Sequence, residues 1–169
     1  MTALFVGRFQ PFHKGHLAAI KWILEKEGKI FIVIGSNEVL LTKKNPFRFS
    51  ERKKMIEGAL EKEKIKNFKI FRMHDYNDDV FWAKKVLKTT KINSKTAEIY
   101  TMNLWTENCF KKIGIKTKSH PIFCDKLCGT KIRKKIKDGG KWKNLVPKPV
   151  FNLLEKINCE KRIKILNRC

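Results

Sequence analysis

Residues 7–16 of the chain are Gly7-Arg8-Phe9-Gln10-Pro11-Phe12-His13-Lys14-Gly15-His16. The apolar run Ala3-Leu4-Phe5-Val6 precedes them, and apolar residues at helical spacing follow between Leu17 and Leu24. This order predicts a first β-strand, a tight loop and a helix. His16 then lies near the start of the helix, where unpaired backbone N–H groups and the helix dipole favour an anion.

Three residues of this stretch shape the predicted loop. Gly7 and Gly15 carry no Cβ, so the backbone can come close to a ligand at both positions. Pro11 restricts the backbone between them. The stretch therefore predicts a stiff loop that presents two histidines to an anionic ligand.

Length and composition indicate a folded protein. With 169 residues, 42% hydrophobic residues and 12 phenylalanines, the chain can bury a sizeable core, and we expect one domain over residues 1–169. No apolar run approaches the roughly 20 residues that span a bilayer. The N-terminus lacks the basic flank and cleavage site of a signal peptide. We expect a cytoplasmic protein without membrane contact.

The chain is strongly basic. It has 39 Lys and Arg against 16 Asp and Glu, a formal net charge of +23. A basic surface favours nucleic acid, because binding releases counterions. However, the lysines are spread along the whole chain, and no recognition motif for nucleic acid is visible. We expect small anionic substrates rather than a nucleic-acid partner.

The cysteines predict neither a disulfide framework nor a metal site. Their number, five, is odd, and the expected compartment is reducing. His120, Cys124 and Cys128 are spaced by four and could be considered as metal ligands. Pro121 breaks a helix at that point, and no fourth ligand can be assigned. We therefore expect no bound metal there.

Strands and helices alternate along the rest of the chain. Lys29 to Ser36 is a continuous apolar run, typical of a strand buried on both faces of a parallel sheet. Phe68–Phe71 alternates enough to lie near an edge, and Ala97–Thr101 predicts a fourth strand. This pattern predicts a Rossmann-like α/β/α fold in three layers around a mostly parallel sheet. A ligand should bind beyond the carboxyl ends of the first and fourth strands.

Local signals predict where several elements begin and end. Ser50 is expected to cap the helix after the second strand, and Thr130 to cap a helix that ends at Gly139-Gly140. Residues 116–123 are expected to be extended. Pro147 and Pro149 should begin a further helix, and a last basic helix should follow.

Two motifs carry a resemblance to a known family. Residues 7–16 resemble the G-x-F-x-P-x-H-x-G-H loop of the nucleotidylyltransferase superfamily. Their sequence is close to that of the archaeal-type nicotinamide mononucleotide (NMN) adenylyltransferases. Leu127-Cys128-Gly129-Thr130-Lys131-Ile132-Arg133 resembles the second motif of that superfamily, Ser-[Ser/Gly]-Thr-x-[Ile/Val]-Arg. The resemblance covers nearly the whole chain. It implies the nucleotidylyltransferase fold, with helices from about 129 to 167 packed on the single domain.

The resemblance also implies an activity and a set of site residues. The activity is transfer of AMP from ATP to NMN, giving NAD⁺ and pyrophosphate, with Mg²⁺ entering on the ATP and a homo-oligomer as the assembly. It assigns catalysis to His13, His16 and Arg133. It assigns ATP binding to Gly7, Arg8, Phe9, His13, Gly15, His16, Lys44, Cys128, Thr130 and Arg133. It assigns NMN binding to Trp82, Asp79 and Asn103; for Trp82, a position in the core is the alternative.

Departures from the family pattern keep other functions open. Cys128 replaces a serine and Lys44 an arginine, while Asp79 stands where a side-chain amide is expected. Met102-Asn103-Leu104 keeps only the asparagine of Ser-Gly-Asn-Pro. The alternatives are a related enzyme that uses nicotinic acid mononucleotide or phosphopantetheine, and a non-catalytic binder of nucleotides or nucleic acid.

Overall fold

Five parallel strands form one sheet in the order β3-β2-β1-β4-β5. The strands are β1 Thr2–Gly7, β2 Lys29–Ile34, β3 Phe68–Arg72, β4 Glu98–Tyr100 and β5 Thr117–Lys118. β1 pairs with β2 and with β4, so the direction of the chain connections reverses between β1 and β4. β3 lies at an edge, as its alternating sequence predicted, and every strand pair is parallel.

The computed structural model describes residues 2–36, 41–124 and 127–168. By their internal contacts these residues form two units. The first comprises the described parts of Met1–Gly7, Ala19–Glu38 and Asn67–Pro121. The second comprises those of Arg8–Ala18, Val39–Lys66 and Ile122–Cys169. That residues 1–169 make a single domain, with the helices from about 129 to 167 packed on it, stays a prediction.

The first unit has three layers. Helices α3 (Asp79–Thr90) and α4 (Leu104–Lys111) cover one face of the sheet in an apolar cluster that includes Leu4 and Val33. On the other face, Tyr100 contacts the last two turns of α1 (Lys14–Glu27), where its ring meets Trp22 edge-on and its hydroxyl donates to Glu27 at 2.8 Å. The predicted Rossmann-like α/β/α fold is confirmed, with a sheet that is wholly parallel.

Besides a short 3₁₀ helix at Lys143–Leu145, the described residues of the second unit form four further α-helices: α2 Phe49–Lys62, α5 Gly129–Lys137, α6 Lys148–Lys156 and α7 Cys159–Leu166. α2 packs against α6, and α5 packs against α7. A close ion pair of 2.7 Å between Arg162 and Glu51 joins α7 to the start of α2. The loops of both motifs lie in this unit. The helices that support these loops are therefore held in place by the packing and the partly buried charge pair just described.

Two local predictions were wrong. α2 begins one residue before Ser50, and its first turn is closed by the Glu51 carboxylate, which accepts the Arg48 N–H at 2.8 Å. Cys128, not Thr130, occupies the N-cap of α5, because the helix begins at Gly129. Of residues 116–123, which were expected to be extended, Thr117–Lys118 pairs as a strand. Pro149 lies in the first turn of α6, as predicted.

Within the described residues, no helix combines the length and the apolar character needed to cross a bilayer.

Candidate active site

His13 and His16 form a stacked pair at the start of α1. Their ring centroids are 3.5 Å apart and their planes differ by 19°. The His16 backbone N–H donates to His13 Nδ1 at 3.3 Å, and the His13 N–H donates to His16 Nδ1 at 3.2 Å. Because each Nδ1 accepts a backbone proton, each neutral ring carries its own proton on Nε2. Each ring therefore carries its N–H donor on Nε2, in an orientation that the two hydrogen bonds hold.

Burial keeps His13 neutral. Its side chain is 4% exposed, and this burial lowers the pKa of the imidazole from 6.5 to about 4. Charging the ring would remove an ion from water without a compensating partner. At neutral pH, His13 is therefore an uncharged hydrogen-bond donor rather than a cation.

This pKa predicts a pH dependence of stability. Between pH 6.5 and about 4 the unfolded chain binds a proton at His13 and the folded chain does not. Stability is therefore full above pH 6.5 and falls as the pH drops, by roughly 3 kcal/mol at most. His13→Asn keeps an acceptor for the His16 N–H but does not titrate. Urea unfolding of both proteins from pH 7 to 4 should show a steeper loss for the wild type, whereas parallel curves would contradict the assignment.

Two phenylalanines of the loop support His16. The Phe9 side chain is 2% exposed, and its ring meets the His16 ring edge-on with centroids 4.9 Å apart. The Phe12 ring stacks on His16 at 5.5 Å. The backbone of Phe9 is left-handed, with φ of 52°. Phe9, which was assigned to ATP binding, thus lies behind a histidine, where its side chain orients the donor pair.

Arg133 of α5 joins the second motif to the first. Its Nη1 donates to the backbone oxygen of Gln10 at 2.7 Å, and its Nη2 donates to Thr130 Oγ1 at 3.1 Å. Burial and, next, the charge of Arg8 lower the pKa of its guanidinium. The exposed Arg8 and the partly buried Arg133 repel each other, and such a pair of like charges is suited to a multiply charged anion. Residues 123 positions apart in the sequence are thereby brought together.

Two glycines allow this close packing. A Cβ on Gly129 would lie 2.7 Å from the Gln10 backbone oxygen, a distance at which atoms must shift. A Cβ on Gly15 would lie 3.1 Å from His13 Nδ1. Gly7, also predicted to line the site, ends β1 and accepts the Gly35 N–H at 3.1 Å. The need for glycine at position 129 is therefore steric, whereas a Cβ at position 15 would require the His13 ring to shift slightly.

Cys128 and Lys44 are the two residues assigned to ATP binding that depart from the family pattern. Cys128 is exposed, and its thiol makes no capping hydrogen bond to α5. The serine of the family pattern is a better hydrogen-bonding cap than a thiol. Lys44 is exposed in the loop before α2. Both side chains are accessible to a ligand from solvent.

The three residues assigned to NMN converge in the first unit. Asp79 accepts from Lys112 Nζ at 2.6 Å and from Trp105 Nε1 at 2.9 Å, and the Lys112 hydrogen bond is the largest cause that lowers the pKa of its carboxyl. Asn103 caps α4 by accepting the Trp105 N–H at 2.9 Å. The Trp82 and Trp105 rings lie 4.8 Å apart. Trp105, 41% exposed, is therefore the centre of this cluster, although it was not among the residues predicted to bind NMN.

Trp82 is too deeply buried to expose the face of its ring for stacking on a ligand. Its side chain is 1% exposed and packs in the apolar cluster beneath α3 and α4. Its indole N–H is also buried and has no hydrogen-bond partner among the residues that the structure describes. A buried donor without a partner is costly, and an acceptor on a water molecule or a ligand would satisfy it.

Paired imidazole donors in one motif, two guanidinium groups near each other where the two motifs meet, and a wholly parallel Rossmann-like sheet define an enzyme of the nucleotidyltransferase class. Comparison with known sequences makes the assignment specific. The chain belongs to the cytidylyltransferase-like family, whose sequence model matches residues 4–135.

Archaeal relatives are similar over nearly their whole length. The nicotinamide-nucleotide adenylyltransferase of Thermoplasma acidophilum is 39% identical over 98% of this chain and 91% of its own. The enzyme of the same name from Thermococcus sibiricus is 38% identical over 98% of this chain and 89% of its own. The resemblance noted from the two motifs is confirmed.

A solved structure shares the fold. The bifunctional NMN adenylyltransferase/ADP ribose pyrophosphatase of Francisella tularensis, determined with AMP and a manganese ion, has a TM-score of 0.81 and 27% identity. The match covers 98% of this chain and 51% of that one. The chain thus spans about half the length of the Francisella protein.

Proposed function

We propose that this protein transfers the AMP group of ATP to nicotinamide mononucleotide, giving NAD⁺ and pyrophosphate. The observation that carries the proposal is the junction of the two motifs, in which Arg133 bonds the Gln10 backbone at 2.7 Å and lies near Arg8. The names of the archaeal relatives support the same reaction.

The chemistry needs positioning rather than a base. The attacking group is the phosphate of the mononucleotide, which is ionised at neutral pH because its second pKa is about 6. Catalysis then consists of holding this phosphate in line with the α-phosphate of ATP and stabilising the charge that develops. Neutral His13 fits this role, since a donor is required and a proton acceptor is not.

Residues of the second unit bind the phosphates of ATP in this proposal. His13 and His16 donate from Nε2 to the phosphates, and Arg133 with Thr130 holds the β- and γ-phosphates. Arg8 and Lys44 add positive charge. Of the remaining assigned residues, Phe9 orients His16 through its ring, Gly15 and Cys128 act through backbone and cap positions, and Gly7 ends β1 in the first unit. Fixed N–H donors of this kind typically contribute a few kcal/mol each to transition-state stabilisation.

Mg²⁺ belongs to the substrate in this proposal. In the part of the chain that the structure describes, no three or more His, Cys, Asp or Glu side chains group as a metal site. Mg²⁺ commonly binds through phosphate oxygens and keeps several waters. We therefore propose that the ion enters as Mg·ATP, held by the triphosphate rather than by a cage of protein ligands.

The residues assigned to the acceptor mononucleotide suit the carboxamide of NMN better than the carboxylate of nicotinic acid mononucleotide. Asp79 is an anionic acceptor beside Lys112, and the buried Trp82 N–H is an unused donor. We propose that Asp79, Asn103 and Trp82 bind the nicotinamide end of the mononucleotide. A carboxylate accepts hydrogen bonds from a carboxamide NH₂ but repels a second carboxylate. Asp79 should therefore discriminate against nicotinic acid mononucleotide.

An acceptor screen tests this proposal. Purified protein with ATP and Mg²⁺ is given NMN, nicotinic acid mononucleotide or phosphopantetheine at equal concentration, and pyrophosphate release is followed. We expect NMN to be used with at least about tenfold higher kcat/KM than either competitor, a difference of about 1.4 kcal/mol. Preference for a competitor would identify the related enzyme, and ATP binding without release would identify a non-catalytic binder.

We further propose a cytoplasmic homo-oligomer that does not use nucleic acid as a partner. The positive charge suits ATP, the mononucleotide and pyrophosphate, which are all anions. The cations are distributed along the chain rather than collected in one tail or block. Such a distribution raises the rate of encounter with small anions without specifying a nucleic-acid sequence.

A further inference from the structure

Gln10 makes a two-bond clasp between two loops of the second unit. Its Nε2 donates to the Phe47 backbone oxygen at 3.0 Å, and its Oε1 accepts the Phe47 N–H at 2.9 Å. The residue is 3% exposed, and both hydrogen bonds are buried. The side-chain amide thus pairs with a backbone unit 37 residues away in the sequence, on the loop that also carries Lys44.

The backbone around Gln10 is held from two further directions. The Gln10 carbonyl accepts from Arg133 of α5, and the neighbouring Arg8 carbonyl accepts from Arg52 Nη1 of α2 at 2.8 Å. Arg52 is itself 1% exposed. The first motif is therefore tied to three segments: the loop before α2, α2 itself and α5.

We propose that Gln10 is a positioning residue for the triphosphate: its amide locks the Lys44 loop to the loop that leads into the paired histidines. This inference rests on the proposed function. Gln10 need not touch the substrate, because its side chain is engaged with Phe47. Displacing reacting groups by about 1 Å can reduce a rate by about 100-fold, so an interaction that sets the relative position of two phosphate-binding loops acts on turnover.

The amide is required because it supplies one donor and one acceptor at a fixed separation. Methionine has a similar length but leaves both Phe47 groups without their partner. Glutamate keeps the acceptor for the Phe47 N–H but, when ionised, sets a carboxylate against the Phe47 oxygen. Unpaired buried backbone groups favour opening of the loop to water.

The test uses Gln10→Met and Gln10→Glu, with Thr90→Val as the matched control. Thr90 is also buried and bonds the backbone, donating to the Val86 oxygen at 2.8 Å, but it lies in α3. NAD⁺ formation is measured with ATP varied at saturating NMN and with NMN varied at saturating ATP, and amide exchange of residues 41–48 is followed by mass spectrometry. Thermal unfolding of each variant shows whether it is folded at the assay temperature.

For Gln10→Met we expect kcat/KM for ATP to fall by about 100-fold, with KM for NMN unchanged and faster amide exchange confined to residues 41–48. Thr90→Val should lose thermal stability without this kinetic change. If Gln10→Met does not fold, Gln10→Glu decides, with an expected fall of at least about tenfold. The proposal would be overturned by wild-type kinetics in a folded Gln10→Met or, if that variant does not fold, in Gln10→Glu.

A failure of the proposed reaction is distinguishable from a failure of this inference. If the wild type makes no NAD⁺, the affinity for a non-hydrolysable ATP analogue replaces turnover as the readout. The clasp then predicts weaker analogue binding in the Gln10 variants than in the wild type and in Thr90→Val. Equal affinities in all of these proteins would overturn it.

Discussion

Arg133→Lys is expected to lose most of the activity although it conserves charge. The guanidinium bonds the Gln10 carbonyl and the Thr130 hydroxyl through two different nitrogens and still has N–H groups for a phosphate. A lysine ammonium is a single point charge and cannot reproduce this fork. We expect kcat/KM for ATP to fall by about 10- to 100-fold, the effect of losing a charged hydrogen bond of about 1.5–3 kcal/mol. Steady-state kinetics with ATP varied measures it.

Lys134→Ala is the control for Arg133→Lys. Lys134 is an exposed cation on the same helix. Its removal should change kcat/KM by no more than about twofold, as expected for a surface position. If Arg133→Lys and Lys134→Ala behave alike, Arg133 is a solvated cation and the second motif loses its role in the site.

Gly129→Ala is expected to have an effect of similar size for a steric reason. Alanine is normally favoured over glycine in a helix by about 1 kcal/mol. At this position the added Cβ would lie 2.7 Å from the Gln10 oxygen, so α5 and the first loop must separate. We expect a loss of about 1–3 kcal/mol in stability and a fall of about 100-fold in kcat/KM for ATP. Urea unfolding and steady-state kinetics measure the two effects.

Gly140→Ala is the matched control for Gly129→Ala. The nearest atom to a Cβ at Gly140 is the Lys135 oxygen at 3.6 Å, an ordinary contact. This variant should retain both stability and turnover. A Gly129→Ala protein with wild-type kinetics would show that the contact between α5 and the first loop does not control ATP use.

Short-range patterns were enough to predict most of the fold. The run Lys29–Ile34 is apolar because both faces of β2 are covered, and the weaker alternation of β3 fits its place at the edge. The two motifs were visible because they depend on residues adjacent in sequence. Helix starts were harder: the sequence could not show that Glu51 would bond Arg48, which moved the start of α2 ahead of Ser50.

The parts of the site that depend on distant partners were not predictable. Gln10 occupies a position where the motif accepts any residue, and nothing local indicates Phe47 as its partner. Asp79 was noted as a departure, but its bond to Lys112 joins residues 33 apart. A tryptophan two residues after Asn103 could have indicated Trp105 as a site residue. Its contact with Trp82, however, depends on how the helices pack. Long-range hydrogen bonds and ring contacts follow from the fold, not from spacing.

The most direct test of the central claim is the fate of the phosphorus atoms of ATP. The protein is incubated with NMN, Mg²⁺ and ATP labelled either at the α- or at the γ-phosphorus, and the products are separated. Attack on the α-phosphate predicts that the α label enters NAD⁺ and the γ label leaves in pyrophosphate, in equal amounts and only when NMN is present. Release of the γ label as inorganic phosphate, or its transfer to the mononucleotide, would contradict adenylyl transfer.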